Sequence, residues 1–177
     1  MSNRDCLAQL EPAAPLQDVL AFYDALPPVA PEAMIGFWKG SEIATGHAFD
    51  DLLEPSGWWG KAFRSVDEVD PLLFKRRGTL FAGNPGLMPL GLIARFPRIA
   101  KSRPSAALFR LVSPLLRTGK PRARLRLLAY RGVTSAAMIY DQLPIADCFR
   151  QVDEDTLIGA MDIRGYAEPY IFTLRRA

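Results

Sequence analysis

The C-terminal third of the chain most tightly limits its fold. From Arg122 onward, short apolar stretches recur at intervals of about ten residues, separated by tight-turn signals. Arg122 to Tyr130 alternates apolar and charged residues in its first half, as a half-buried strand does. Arg131-Gly132 turns the chain into Val133 to Tyr140. Ile145 to Val152, Thr156 to Ile163 and Pro169 to Leu174 follow, with Asp153-Glu154-Asp155 and Arg164-Gly165-Tyr166 between them. Such a series predicts an antiparallel meander that curls into a small barrel with room for a ligand. The expected class is therefore mainly β within α+β: a small, partly closed antiparallel barrel with an N-terminal helix and a helical lid.

Upstream, residues 1–15 carry Pro12 and Pro15 among small residues and predict a flexible tail. Leu16 to Leu26 has apolar residues at helical spacing, and Pro27-Pro28 stops it. Met34 to Ala44 predicts a strand, and His47 to Leu53 a short helix ended by Pro55 and Gly57. Trp59 to Phe63 and Val69 to Phe74 fit strands or helical turns equally well. Leu73 to Ala82 predicts a strand before the turn Gly83-Asn84-Pro85-Gly86. A length of 177 residues suits one domain. Residues 16–177 are read as that domain, divided at 83 and 122 into a glycine–tryptophan part, an inserted lid and the meander.

Charge is distributed unevenly. Pro71 to Tyr140 holds 14 of the 22 basic residues and no Asp or Glu. Within it, the proline-broken run from Leu87 to Arg117 is apolar and purely basic, with a short helix expected over Pro104 to Ser113. Nucleic-acid binding calls for aromatics among the arginines, and between Arg95 and Arg131 only Phe96, Phe109 and Tyr130 occur. The segment suits a portal for amphipathic molecules, contact of residues 87–126 with an anionic membrane surface, or a solvated face on a loop or homodimer. No apolar run reaches the roughly 18 residues of a membrane span, and no secretory signal is visible. Cys6 and Cys148 are far apart and fit two free thiols in the cytoplasm. With a single histidine, they do not suggest a metal site.

Tryptophan, glycine and histidine cluster in Gly36-Phe37-Trp38-Lys39-Gly40, Thr45-Gly46-His47 and Gly57-Trp58-Trp59-Gly60-Lys61. Glycine permits close approach and tryptophan supplies a broad apolar wall, so the cluster reads as the side of a ligand pocket. These motifs resemble the bacterial GXWXG-domain proteins, in which a short GXWXG domain precedes a C-terminal domain of unknown function. The second half carries the resemblance through Tyr130-Arg131-Gly132, Met138 to Asp141, Pro144 to Arg150 and Gly159 to Asp162. A looser resemblance joins the chain to the calycins (lipocalins, fatty-acid-binding proteins and nitrobindins), which implies a barrel for apolar ligands or haem. Position 42 is Glu where nitrobindins have a further glycine, and no histidine lies late in the chain, so no haem or other cofactor is expected.

The expected pocket wall is Trp38, Trp58, Trp59, Phe63 and Tyr140, with Met138 and Met161 beside them. Trp58 and Trp59 cannot both face inward from an extended segment. His47 would form the polar end, or act as general acid and base with Asp50 or Asp51 setting its tautomer. The alternative is a histidine bonded only to backbone. Lys61 is either a surface lysine or a partly buried one able to form an imine. Asp141 and Arg150 could pair across the turn, as a structural ion pair or as a pocket floor. Two functions follow: binding of a small apolar or amphipathic molecule, or a cofactor-free lyase or isomerase. The second would use His47 with Asp51, and Lys61 or Arg150 on the oxyanion.

Overall fold

The computed structural model of the chain describes residues 2–88 and 96–177. Among the described residues nine strands form one antiparallel sheet: β1 (Gly36–Glu42), β2 (Trp58–Phe63), β3 (Val69–Arg76), β4 (Thr79–Ala82), β5 (Ala123–Tyr130), β6 (Val133–Tyr140), β7 (Ile145–Asp153), β8 (Thr156–Ile163) and β9 (Tyr170–Arg176). Eight of them close a ring in the order β2-β1-β9-β8-β7-β6-β5-β3, completed by the β2–β3 pairing. Among the described strands β4 pairs with β3 alone and lies outside the ring. Closure is narrowest between β3 and β5, where Val69 faces Ala123. Backbone bonds from Arg122 N to Val69 O (3.0 Å) and Leu125 N to Val66 O (2.7 Å) reinforce that seam.

The meander lies where its periodicity placed it. The first half of β5 buries Ala123 and Leu125 and exposes Arg124 and Arg126. β8 is buried almost throughout, because both of its faces are covered. Leu157 points into the barrel, while Ile158 and Ala160 pack outside it, beneath the N-terminal helices.

Those helices are α1 (Asn3–Leu10) and α2 (Leu16–Ala25). The segment expected as a flexible tail thus contains a helix. Its start is a capping box, with Asp5 N donating to Ser2 Oγ (3.1 Å) and Ser2 N to Asp5 Oδ2 (2.9 Å). Leu7 anchors it to the outer core with Val19, Tyr23, Ile43 and Ile171.

Two further segments depart from expectation. His47 to Leu53 is a series of turns rather than a helix, and a short α3 (Leu53–Ser56) follows, ended by Gly57. The cause is competition for amides. His47 Nδ1 accepts from Phe49 N, and Glu42 accepts from Asp51 N and Glu54 N. Leu73 to Ala82 is broken by a tight hairpin at Arg77-Gly78, both with positive φ. The lid's described part has two helices, α4 (Pro97–Ala100) and α5 (Arg103–Val112), the second capped by Ser102. The middle of the inserted segment, 89–95, lies outside the described residues.

Candidate functional site

The GXWXG strand builds the end of the barrel. Trp38 is fully buried, its Nε1 donates to Met34 O at 2.7 Å, and the Arg176 guanidinium stacks 4.3 Å above the ring. It belongs to the packed core with Val29, Met34, Phe63 and Val69. Gly40 is required by the neighbouring strand: a Cβ there would lie 2.0 Å from the Trp58 ring.

β2 then does something its sequence does not announce. The β2–β3 register shifts on both sides of Gly60, which has φ +150°. A bulge re-aims the side chains that flank it. Trp58 and Lys61, three apart, both line the interior, whereas Trp59 packs outside on Ala62, Leu73 and Ala82. The expectation that the two adjacent tryptophans would part company is met.

Inside lies a cavity of about 510 Å³. Trp58, Leu72, Tyr140, Ile145, Met161, Tyr170 and Phe172 form its barrel wall. Leu52, Leu53, Phe96, Ile99, Phe109 and Val112 cover its mouth, the last four from the basic lid. The size falls within the usual range for small-molecule sites, about 300–1,000 Å³, and the lining is mostly apolar, as such sites require.

Lys61 brings a buried charge to that lining. Lys61 Nζ lies 2.8 Å from Asp147 Oδ2, with side-chain exposures of 3% and 0%. Lys61 also donates to Pro71 O at 3.2 Å. Its ammonium sits 4.9 Å from the Phe172 ring, 5.7 Å from Trp58 and 5.8 Å from Tyr140. Asp147 Oδ1 has no hydrogen-bond donor among the described residues. Burial pushes the Asp147 carboxyl above its ordinary range, and Lys61 opposes that shift. Burial, with Asp147 nearby, pushes the Tyr140 hydroxyl well above 10.

The other expected site residues lie elsewhere. Trp38, Phe63, Met138, Trp59 and His47 do not line the cavity. The first three are core, Trp59 faces outward, and His47 stands behind Phe49 and Tyr170. His47 Nδ1 accepts from Phe49 N at 3.1 Å, and burial lowers the ring below its ordinary 6.5, with Asp50 pulling the other way. Asp51 lines the cavity but gives its amide to Glu42 rather than its carboxylate to His47. Asp141 pairs with Arg124 on the surface, not with Arg150. Arg150 is buried outside the barrel wall, 4.7 Å over the Tyr23 ring, bonded to Phe149 O and Tyr130 O. Alternation explains the split: Asp147 and Phe149 face in, so Arg150 must face out. Nothing local to Lys61 identifies its partner, although Asp147 is an acid in an apolar strand, which is a signal for a buried partner.

Glu42 is a second feature the sequence hid. Its carboxylate is buried, accepts from Asp51 N (2.8 Å) and Glu54 N (2.7 Å), and faces the Tyr170 hydroxyl. It anchors the loop behind the mouth. Among the described residues no group of three or more His, Cys, Asp or Glu could hold a metal ion.

Comparison with known proteins gives a consistent picture. The family model described as GXWXG protein matches residues 21–78, and that of a domain of unknown function, DUF4334, matches residues 121–176. Most of the lid falls between the two matches. The crystal structure of a protein from Thermomonospora curvata is similar over 100% of this chain and 99% of its own, at 31% identity and a TM-score of 0.74. No curated protein matches the chain.

Proposed function

The chain belongs to the GXWXG proteins that carry a C-terminal DUF4334 domain, and from that premise we propose that it binds a small apolar or amphipathic molecule inside its barrel. The observation that carries this reading is a mostly apolar cavity of about 510 Å³ whose lining includes Lys61, itself paired with the buried Asp147. Each buried methylene contributes about 0.8 kcal/mol, so a ten-carbon chain supplies roughly 8 kcal/mol before ordering costs. Trp58, Tyr140 and Met161 serve as wall, joined by Phe172 and Tyr170. Lys61 with Asp147 replaces His47 as the polar end. The pair is neutral as a unit, so it favours a ligand whose polar group is itself neutral. A carboxylate would place two negative charges beside one cation in an apolar site.

Native mass spectrometry of the purified protein, against its denatured mass, tests the reading. A retained apolar molecule supports it. A bare mass, with no uptake of added decanol, sinks it. A proton-transfer enzyme centred on His47 loses its support, because the ring is outside the cavity lining.

A second reading, contact with an anionic membrane surface, is favoured by the outer side of the lid. Leu87, Leu111 and Leu115 are exposed and outside the cavity lining, Leu115 to 81%. Lys75, Arg76, Arg77 and Arg110 line an adjoining cleft, and no described carboxylate pairs with them. Flotation with phosphatidylglycerol vesicles, but not with phosphatidylcholine alone, is the expected result. Flotation with neither would remove the reading.

A further inference from the structure

We propose that Lys61 captures an apolar aldehyde or ketone as an imine, with Asp147 as the acid that releases water. The inference rests on the binding reading above and names the chemical class of its ligand. Three observations converge on it. Lys61 lines the cavity, so its nitrogen is within reach of a bound molecule. Two of its three N–H groups are taken, by Asp147 and the Pro71 carbonyl, which leaves one position for the ligand. Among the described residues it is the only lysine in an ion pair with a carboxylate; the others, Lys39, Lys75, Lys101 and Lys120, have none.

The chemistry balances without any other reagent. The ammonium passes one proton across 2.8 Å to Asp147, giving amine and carboxylic acid. Away from water this neutral pair loses less solvation than the ion pair it replaces. Burial already holds the Asp147 carboxyl above its ordinary range, which favours the transfer. The amine lone pair then bonds to the carbonyl carbon, and the π electrons move to oxygen. A proton shifts from nitrogen to that oxygen, forming the carbinolamine. Asp147 protonates the hydroxyl, the nitrogen lone pair forms C=N, and water leaves. An iminium beside the Asp147 carboxylate remains, with the same net charge as the starting pair. No new charge is buried at any completed stage. The Trp58, Tyr140 and Phe172 rings around the nitrogen suit the iminium as they suit the ammonium.

The test is reductive trapping. The full-length protein is incubated with decanal and borohydride, then weighed intact and mapped by peptide. One decyl group on Lys61, in excess over each of the four other lysines, is expected. Lys61→Arg keeps a cation for Asp147 and should lose that label, while Asp147→Asn should slow its appearance. Decanol, which cannot form an imine, should displace a bound anilinonaphthalene dye from the wild type. Displacement by decanol and decanal with no label at Lys61, or with label spread over the lysines, overturns the imine and leaves the binding reading standing. A dye displaced by neither overturns both. Label concentrated on Lys101, which also lines the cavity without a carboxylate partner, overturns the role of Asp147.

Discussion

At the residue scale, two buried titratable groups behave oppositely with pH. Removing one partner of a buried pair leaves the other uncompensated, so Lys61→Met should cost about 3–5 kcal/mol in urea unfolding. The double variant Lys61→Met/Asp147→Leu should recover most of that. A double variant as unstable as the single one would show that packing, not charge, is at stake. Asp147 has a raised pKa, so the folded state binds more protons than the unfolded one between 3.8 and the folded value. Its contribution to stability is present below 3.8 and is lost as pH rises through the folded pKa. Without Lys61 that pKa rises further, and the Lys61→Met penalty should shrink on acidification; a penalty flat with pH refutes this. His47 has a lowered pKa, so its neutral form stabilises the fold above 6.5 and that contribution fades as pH falls through the folded value. His47→Gln should flatten the acid side of the stability profile, and an unchanged slope would place the titration elsewhere. The chemistry of His47 was legible as a residue type, but its position was not. Phe49, Tyr166 and Tyr170 surround it, and those rings converge only in the folded chain.

At the element scale, β2 decides what the cavity contains. Strict alternation would put Trp58, Gly60 and Ala62 on one face and Trp59, Lys61 and Phe63 on the other. The bulge at Gly60 instead brings Trp58 and Lys61 to the same side. A Cβ on Gly60 would lie 1.9 Å from Trp38 O, a backbone atom that cannot turn aside. Gly60→Ala should therefore lower Tm more than Gly46→Ala, where φ is also positive but nothing lies within 4 Å. Gly60→Ala should also weaken dye binding, since the strand must shift and take Lys61 with it. Equal losses at the two positions would deny the bulge its role. The N-terminal helix teaches a related lesson: its Ser2–Asp5 capping box was readable locally, but Leu7 found its partners on β7 to β9.

At the scale of the whole molecule, charge and apolar exposure coincide on the lid. Surface attraction to anionic lipid is worth about 1 kcal/mol per basic residue and is screened within a Debye length of about 8–10 Å. Vesicle flotation should therefore weaken steeply with salt. Leu111→Asp with Leu115→Asp should abolish it while changing stability by no more than about 0.5 kcal/mol, because both side chains are exposed. Binding that persists in the double variant would move the contact away from the lid.

The sequence alone determined the meander, the N-terminal helix at Leu16, the lid helix near Pro104 and the acid-free basic stretch. Each rests on local periodicity, turn chemistry or charge, which neighbouring residues carry among themselves. Only the tertiary structure decided that the barrel closes through Val69 and Ala123, that His47 and Arg150 stand outside the cavity, and that Lys61, in the cavity lining, meets the buried Asp147. These depend on register: a one-residue shift sends a side chain to the opposite face, and β2 shifts register at Gly60, which lies against the Trp38 backbone oxygen, while the Trp58 ring lies against Gly40.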